Sequence, residues 1–236
     1  MKLKEAARTV NWAYIGLFYA IVLLGTYLVR KLPNVLQLIL KQVTDIPFTF
    51  NYNHGILVAL TALLFYKTSH FKPSISLLGN NKFKALLFPI ILLAAYTTMG
   101  ISNSNGVDKH SWAFLFCSFA IIYNIMEEYA WRGYLVEALG QLPYVIKSIL
   151  SGILWAFWHL FIFKDFDQYG GFGIFLVFCI VFSFLLTFAV NRTKSILVAA
   201  SLHAFIIQMN ITALICFLIF LVLLLTWGNK KRVNEI

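Results

Sequence analysis

Charge is scarce in this chain of 236 residues: 12% of positions are charged, 61% are hydrophobic, and the mean hydropathy is +0.81. That shortage excludes an ordinary water-soluble domain and is the composition of a polytopic membrane protein. Cysteine is also rare. Cys117, Cys179 and Cys216 lie in apolar runs without CxxC spacing, which excludes a disulfide framework or a thiolate metal site and leaves them as packing residues. No HExxH sequence occurs, so the usual zinc-protease helix is missing. Neither an internal repeat nor a low-complexity segment stands out, which argues against the duplicated halves of many transporters. The first apolar run, from Val10 to Leu28, is too long for a cleavable signal peptide and is expected to remain as a helix.

What charge there is carries a strong bias. The net charge is +10, but the basic residues fall in short loops between apolar runs, so they read as orientation signals and not as a nucleic-acid patch. Candidate spans are 10–28, 48–66, 84–101, 111–139, 145–163, 172–190, 195–209 and 211–227. With the N-terminus inside, thirteen Lys and Arg residues face the cytoplasm and five face outward, while Arg132 stands apart within a span. The expectation is an all-α membrane protein of about eight transmembrane helices with both termini cytoplasmic. It forms a single membrane domain over 1–236, in a multi-pass protein of a cell membrane, with the bacterial plasma membrane as the expected place. Residues 31–48 fit either an interfacial helix or an extension of the second span. The uncharged stretch 195–227 would make a helix of about 50 Å against a core of about 30 Å, so a break is expected near Met209 to Thr212.

Against this background the pair Glu127–Glu128, with Arg132 four residues later, is the most informative feature. A carboxylate at hydrocarbon depth costs roughly 2.5–3.5 kcal/mol on insertion scales, and the default meaning of such a residue is a functional site. Two histidines also lie in apolar surroundings, His159 and His203, whereas His54, His70 and His110 fall near helix ends and are expected to be solvated. Helical rise places His159 about 18 Å from Lys147, His203 about 12 Å from Ser195 and Glu128 about 16 Å from Leu139. These depths allow all three to share a cavity open to the cytoplasm. A glutamate can then deprotonate water while imidazoles orient it or stabilise an oxyanion. Alternatively, Glu128, His159 and His203 can hold one zinc ion that acidifies a bound water. Arg132 sits at i+4 from Glu128 and can pair with it; Glu127 points about 100° away and stays freer to act as base. A structural Glu128–Arg132 pair, histidines that merely bridge helices, tryptophans that only pack, and a solute or proton pathway are the competing explanations.

The motifs EEYAWRG, LWAFWH and NRTKSILVAASLHA, in this order, resemble the CPBP intramembrane proteases, the CAAX-protease and bacteriocin-processing family also called Abi. The likeness runs from about Asn124 to Asn210, within the helical half 111–227. It implies peptide-bond hydrolysis within a lipid bilayer, on membrane-associated peptides or proteins, by an eight-helix scaffold. By motif position Glu127 would activate water with help from His159, His203 would stabilise the oxyanion, and Glu128 and Arg132 would support the site. Such proteins have been described both as zinc-dependent and as metal-free. Bacteriocin or signalling-peptide processing and self-immunity are the roles suggested by analogy.

One position departs from the pattern. The family has Asn four residues after its last histidine, and here that place is Ile207, with Asn210 seven residues after His203. Loss of an oxyanion donor removes about 2.7–4 kcal/mol of transition-state stabilisation. Asn210 can substitute only if the helix bends or breaks before it. A non-catalytic membrane partner or immunity protein of the same fold is therefore the alternative.

Overall fold

The computed structural model describes residues 3–46, 48, 50–69 and 72–228. Within them the regular elements are helical, and the extended contact is a single parallel bridge between Ser76 and Ser195. The helices are α1 (Leu3–Arg8), α2 (Trp12–Val29), α3 (Val35–Leu40), α4 (Asn53–Thr68), α5 (Lys82–Met99) and α6 (Lys109–Glu128). A π-helical stretch, Tyr129–Leu135, and a short turn, α7 (Val136–Ala138), continue α6. Then follow α8 (Tyr144–His159), α9 (Phe172–Thr193), α10 (Ile196–Ala204) and α11 (Ile211–Leu225).

A helix stands in each expected span. Four of them are long and apolar enough to cross a membrane: Trp12–Val29, Lys82–Met99, Lys109–Ala138 and Phe172–Thr193. The others are shorter. Among the described residues of 31–48 the helix is the six-residue α3, and residues 44–46, 48 and 50–52 are not helical, so α3 is separate from α4. The break in 195–227 falls at Gln208, after a 3₁₀ turn at Phe205–Ile207. Lys2, Lys230, Lys231, Arg232 and His70 lie outside the described residues.

Polar residues at the ends of apolar runs set where helices begin. Asn11, Asn34, Asn81, Ser195 and Asn210 each accept a hydrogen bond from a backbone N–H of the first turn, satisfying donors that have no intrahelical partner. Asp108 does the same for α6 with two amides. The Ser111 amide in particular holds the Asp108 carboxyl below the usual carboxylate range. The exposed side chains of the outer helices are Leu24, Ile90, Val177, Val181, Leu214 and Val222 and others like them. An apolar exterior of this kind suits lipid and would be a liability in water.

α10 is the innermost helix, with all nine of its residues buried, packed among α5, α6 and α9. Its entry is clamped from outside by the connection after α4. Ser76 donates to the Lys194 carbonyl, Ile196 to the Ser76 carbonyl, and Leu197 to the Leu77 carbonyl. Gly79 completes the clamp at φ +64°, where a Cβ would stand 2.1 Å from the Thr193 carbonyl oxygen. The segment 76–79 thus fixes the register of the helix that carries His203. The three cysteines are buried and free, as expected.

α8 and α9 pack backbone against backbone at Gly152, where a Cβ would lie 2.6 Å from the Ile180 Cα and 2.9 Å from the Cys179 carbonyl oxygen. Backbone cannot yield there as a flexible side chain would. Gly152→Ala should therefore destabilise the folded protein by about 1–3 kcal/mol, seen as a lower thermal midpoint in detergent. Gly16→Ala, with nothing within 4 Å, should stay within about 0.5 kcal/mol of the parent. Equal midpoints for both variants would contradict the close α8–α9 packing.

Candidate active site

The inward face of α6 carries Asn124, Glu127 and Glu128, all buried. Glu128 ends the α-helical part, and the chain then widens into the π-helical Tyr129–Leu135. Local π geometry inside an α-helix recurs at functional sites because it re-aims side chains. Here it carries Arg132 inward. Its Nη1 donates to Glu128 Oε1 at 3.0 Å, with both side chains fully buried. The second Nη donates to Ser183 Oγ on α9 at 2.6 Å. The expected i,i+4 pair is present.

His203, from α10, brings Nδ1 to 2.9 Å from the same Glu128 Oε1. Glu128 therefore sits between Arg132 and His203, and its Oε2 has no hydrogen-bond partner among the described residues. Glu127 makes no ion pair among those residues. Its Oε2 accepts a hydrogen bond from Trp155 Nε1 at 3.0 Å. His159, the last residue of α8, places Nδ1 2.8 Å from the Trp155 carbonyl one turn back. Glu127, Glu128, His159, His203 and Arg132 are each at most 8% exposed, so they are enclosed in this conformation and not laid open to the cytoplasm.

Trp155 ties the group together, a role that its residue type did not announce. The Arg132 guanidinium lies 4.5 Å from the Trp155 ring centroid. The rings of His203 and His159 meet that indole edge-on at 4.9 and 5.2 Å. One side chain thus touches both histidines, the arginine and Glu127. The usable signal was its place four residues before His159, which puts both on one helical face.

Other expectations need correction. His54 is buried at 4% exposure, not solvated. Its Nε2 lies 2.6 Å from the Tyr123 hydroxyl of α6. The sequence placed His54 at a helix end correctly, but the first turn of α4 is buried against the longer α6. Asn210 lies outside the site: it is exposed and its Oδ1 accepts from the Ala213 amide as the N-cap of α11. The chain does break before it, yet the break turns Asn210 into a cap and not into a second donor beside His203. Of the three residues offered as zinc ligands, His203 meets Glu128, while His159 Nδ1 is turned to the Trp155 carbonyl. Among the described residues no group of three or more His, Cys, Asp or Glu side chains is arranged to hold an ion.

Residues 109–209 match the family model described as Rce1-like, type II CAAX prenyl endopeptidase Rce1-like. The resemblance to the CPBP family holds over this segment. It spans α6 to the end of α10, and so contains both glutamates, Arg132, Trp155 and both histidines. The helices before α6 lie outside the match. No curated protein and no solved structure gives a significant match to the chain.

Removing one member of a fully buried ion pair leaves an uncompensated charge, which costs about 3–5 kcal/mol. Arg132→Ala should therefore cause a large fall in thermal midpoint. The double variant Glu128→Gln/Arg132→Met, which removes both charges, should recover much of it. Asn210→Ala should cost only about 1 kcal/mol, the worth of a helix cap. A double variant as unstable as Arg132→Ala alone would show that the pair is not what holds the site together.

Proposed function

We propose that this protein is an intramembrane endopeptidase that hydrolyses membrane-associated peptides or proteins by a glutamate mechanism. The observation that carries the reading is the enclosure of two carboxylates, two imidazoles and one guanidinium in one buried cluster, within the segment that matches a CAAX-type protease family. Hydrogen bonding assigns the parts. A carbonyl only accepts, so His159 Nδ1 carries a proton toward Trp155, and Nε2 of the neutral ring is left to accept from a water. His203 directs Nδ1–H at Glu128, which leaves Nε2 aimed away from that carboxylate.

Glu127, held by Trp155 but free of any ion pair, takes a proton from water. The hydroxide attacks the peptide carbonyl carbon, and the C=O electrons move to oxygen. His203, when protonated, offers Nε2–H to that oxyanion, with Glu128 behind it as counter-charge. Collapse of the intermediate breaks the C–N bond as Glu127 returns its proton to the leaving amine. Glu128 and Arg132 do not meet the substrate in this scheme; they fix His203.

The same reading places eight helices across the bilayer with both termini cytoplasmic, in a bacterial plasma membrane. Substrates belong to small membrane-bound peptides such as bacteriocin or signalling precursors, with a prenylated C-terminus as the other class suggested by the family's description. A non-catalytic immunity role is the second reading, and Asn210 favours it, because that amide does not stand beside His203.

Purified protein in liposomes should cleave at least one member of a panel of membrane-tethered peptides, including a prenylated one. Glu127→Gln and His203→Ala should each lower the rate by at least about 100-fold without loss of folded protein, whereas Asn210→Ala should stay near the parent rate. Cleavage should persist in chelator. Loss in chelator with rescue by zinc would replace the glutamate mechanism. Protection of cells that survives Glu127→Gln, with no cleavage by the parent protein, would favour the immunity role.

A further inference from the structure

The mechanism leaves one buried polar pair unused, His54 and Tyr123. Tyr123 lies one turn before Glu127 on the same face of α6. Its hydroxyl is 2.6 Å from His54 Nε2, and the four-residue spacing stacks its ring over Glu127 along the buried face of the helix. The two rings meet edge-on at 5.4 Å, and His54 lies 5.7 Å from Trp158, the neighbour of His159. The backbone makes room for this contact. A Cβ on Gly55 would stand 2.9 Å from Tyr123 Cε2, so the start of α4 admits the phenol ring only because residue 55 is glycine.

The hydrogen bonds have a direction. His54 Nδ1 is buried without a hydrogen-bond partner among the described residues. A buried N–H left without an acceptor costs more than an idle lone pair, because the unmade bond is a full desolvation loss. The ring proton therefore belongs on Nε2, donated to the Tyr123 oxygen. The phenol O–H is then free to turn toward Glu127, one turn along the same face.

We infer that His54 and Tyr123 are positioning residues for Glu127: His54 fixes the Tyr123 hydroxyl, and that hydroxyl, opposite Trp155, aims the carboxylate. This rests on the endopeptidase reading above. It also gives the N-terminal half of the chain, outside the matched segment, a part in the chemistry. The carboxylate is then held from two sides, by α8 through an indole and by α4 through an imidazole and a phenol. Neither positioning residue touches substrate, so their loss should act on turnover and leave binding nearly unchanged.

The test is steady-state cleavage in liposomes by the full chain, using whichever membrane-tethered peptide the parent protein cleaves. Tyr123→Phe keeps the ring and removes the hydroxyl. It should lower kcat about 10- to 100-fold, the range of one hydrogen bond to a charged group, with KM within about twofold. His54→Leu should match it. His54→Gln, whose amide reproduces the Nε2–H donor, should restore most of the rate, and a purely structural role would not show that rescue. Gly55→Ala, which keeps both polar groups but displaces the ring, should also lower kcat. A Tyr123→Phe enzyme with parental kcat would overturn the inference, as would His54→Gln falling as far as His54→Leu. A parent protein without cleavage while folded would instead overturn the endopeptidase reading.

Discussion

The fully buried Glu128–Arg132 pair is the constraint on which the rest of the site depends. Neither group can face lipid, and neither can be left alone inside the bundle without a cost of several kcal/mol. The pair fixes the π-helical turn after α6, because Arg132 must point back at Glu128 and across to Ser183. It also fixes His203, which shares the Glu128 oxygen that Arg132 holds. Two carboxylates against one guanidinium leave the cluster one positive charge short. A further proton within it restores neutrality, and a group that holds a proton at a buried site is placed to pass one on.

The arrangement spreads this demand over several helices. α6 supplies both glutamates, α8 supplies Trp155 and His159, α9 supplies Ser183 and α10 supplies His203. α10 can be entirely interior because its sequence is apolar or small apart from Ser201 and His203 and because the Ser76–Gly79 clamp holds its entry. The indole of Trp155 serves as packing and as donor at once. Its face meets the cation, the two imidazoles pack against it at steep angles, and its N–H meets Glu127. A smaller apolar residue there would leave Glu127 without that partner and Arg132 without its stacking surface.

Much of this was legible in the sequence, for physical reasons. A fourfold spacing puts Glu128 and Arg132 on one face whatever the tertiary fold, and a 33-residue uncharged run must break to fit a bilayer, which it does at Gln208. Depth arithmetic brought Glu128 and His203 together because α10 is regular up to His203 and the π-helical Tyr129–Leu135 still carries the chain as helix between Leu139 and Glu128. It failed for His54, since nothing in the sequence shows that the first turn of α4 is buried against a longer α6. It failed for Asn210 because angular position says nothing about which way a chain leaves a break. The role of Trp155 was invisible to residue type, as tryptophans in apolar runs commonly only pack.

Water-derived oxygen in the product tests the central claim most directly. The protein in liposomes is given a cleavable membrane-tethered peptide in water enriched in oxygen-18, and the N-terminal fragment is weighed by mass spectrometry. The account predicts one oxygen-18 atom in the new carboxyl group with the parent protein, and no such fragment with Glu127→Gln. Labelled fragment formed equally well by Glu127→Gln would contradict it, as would a peptide left intact by well-folded parent protein.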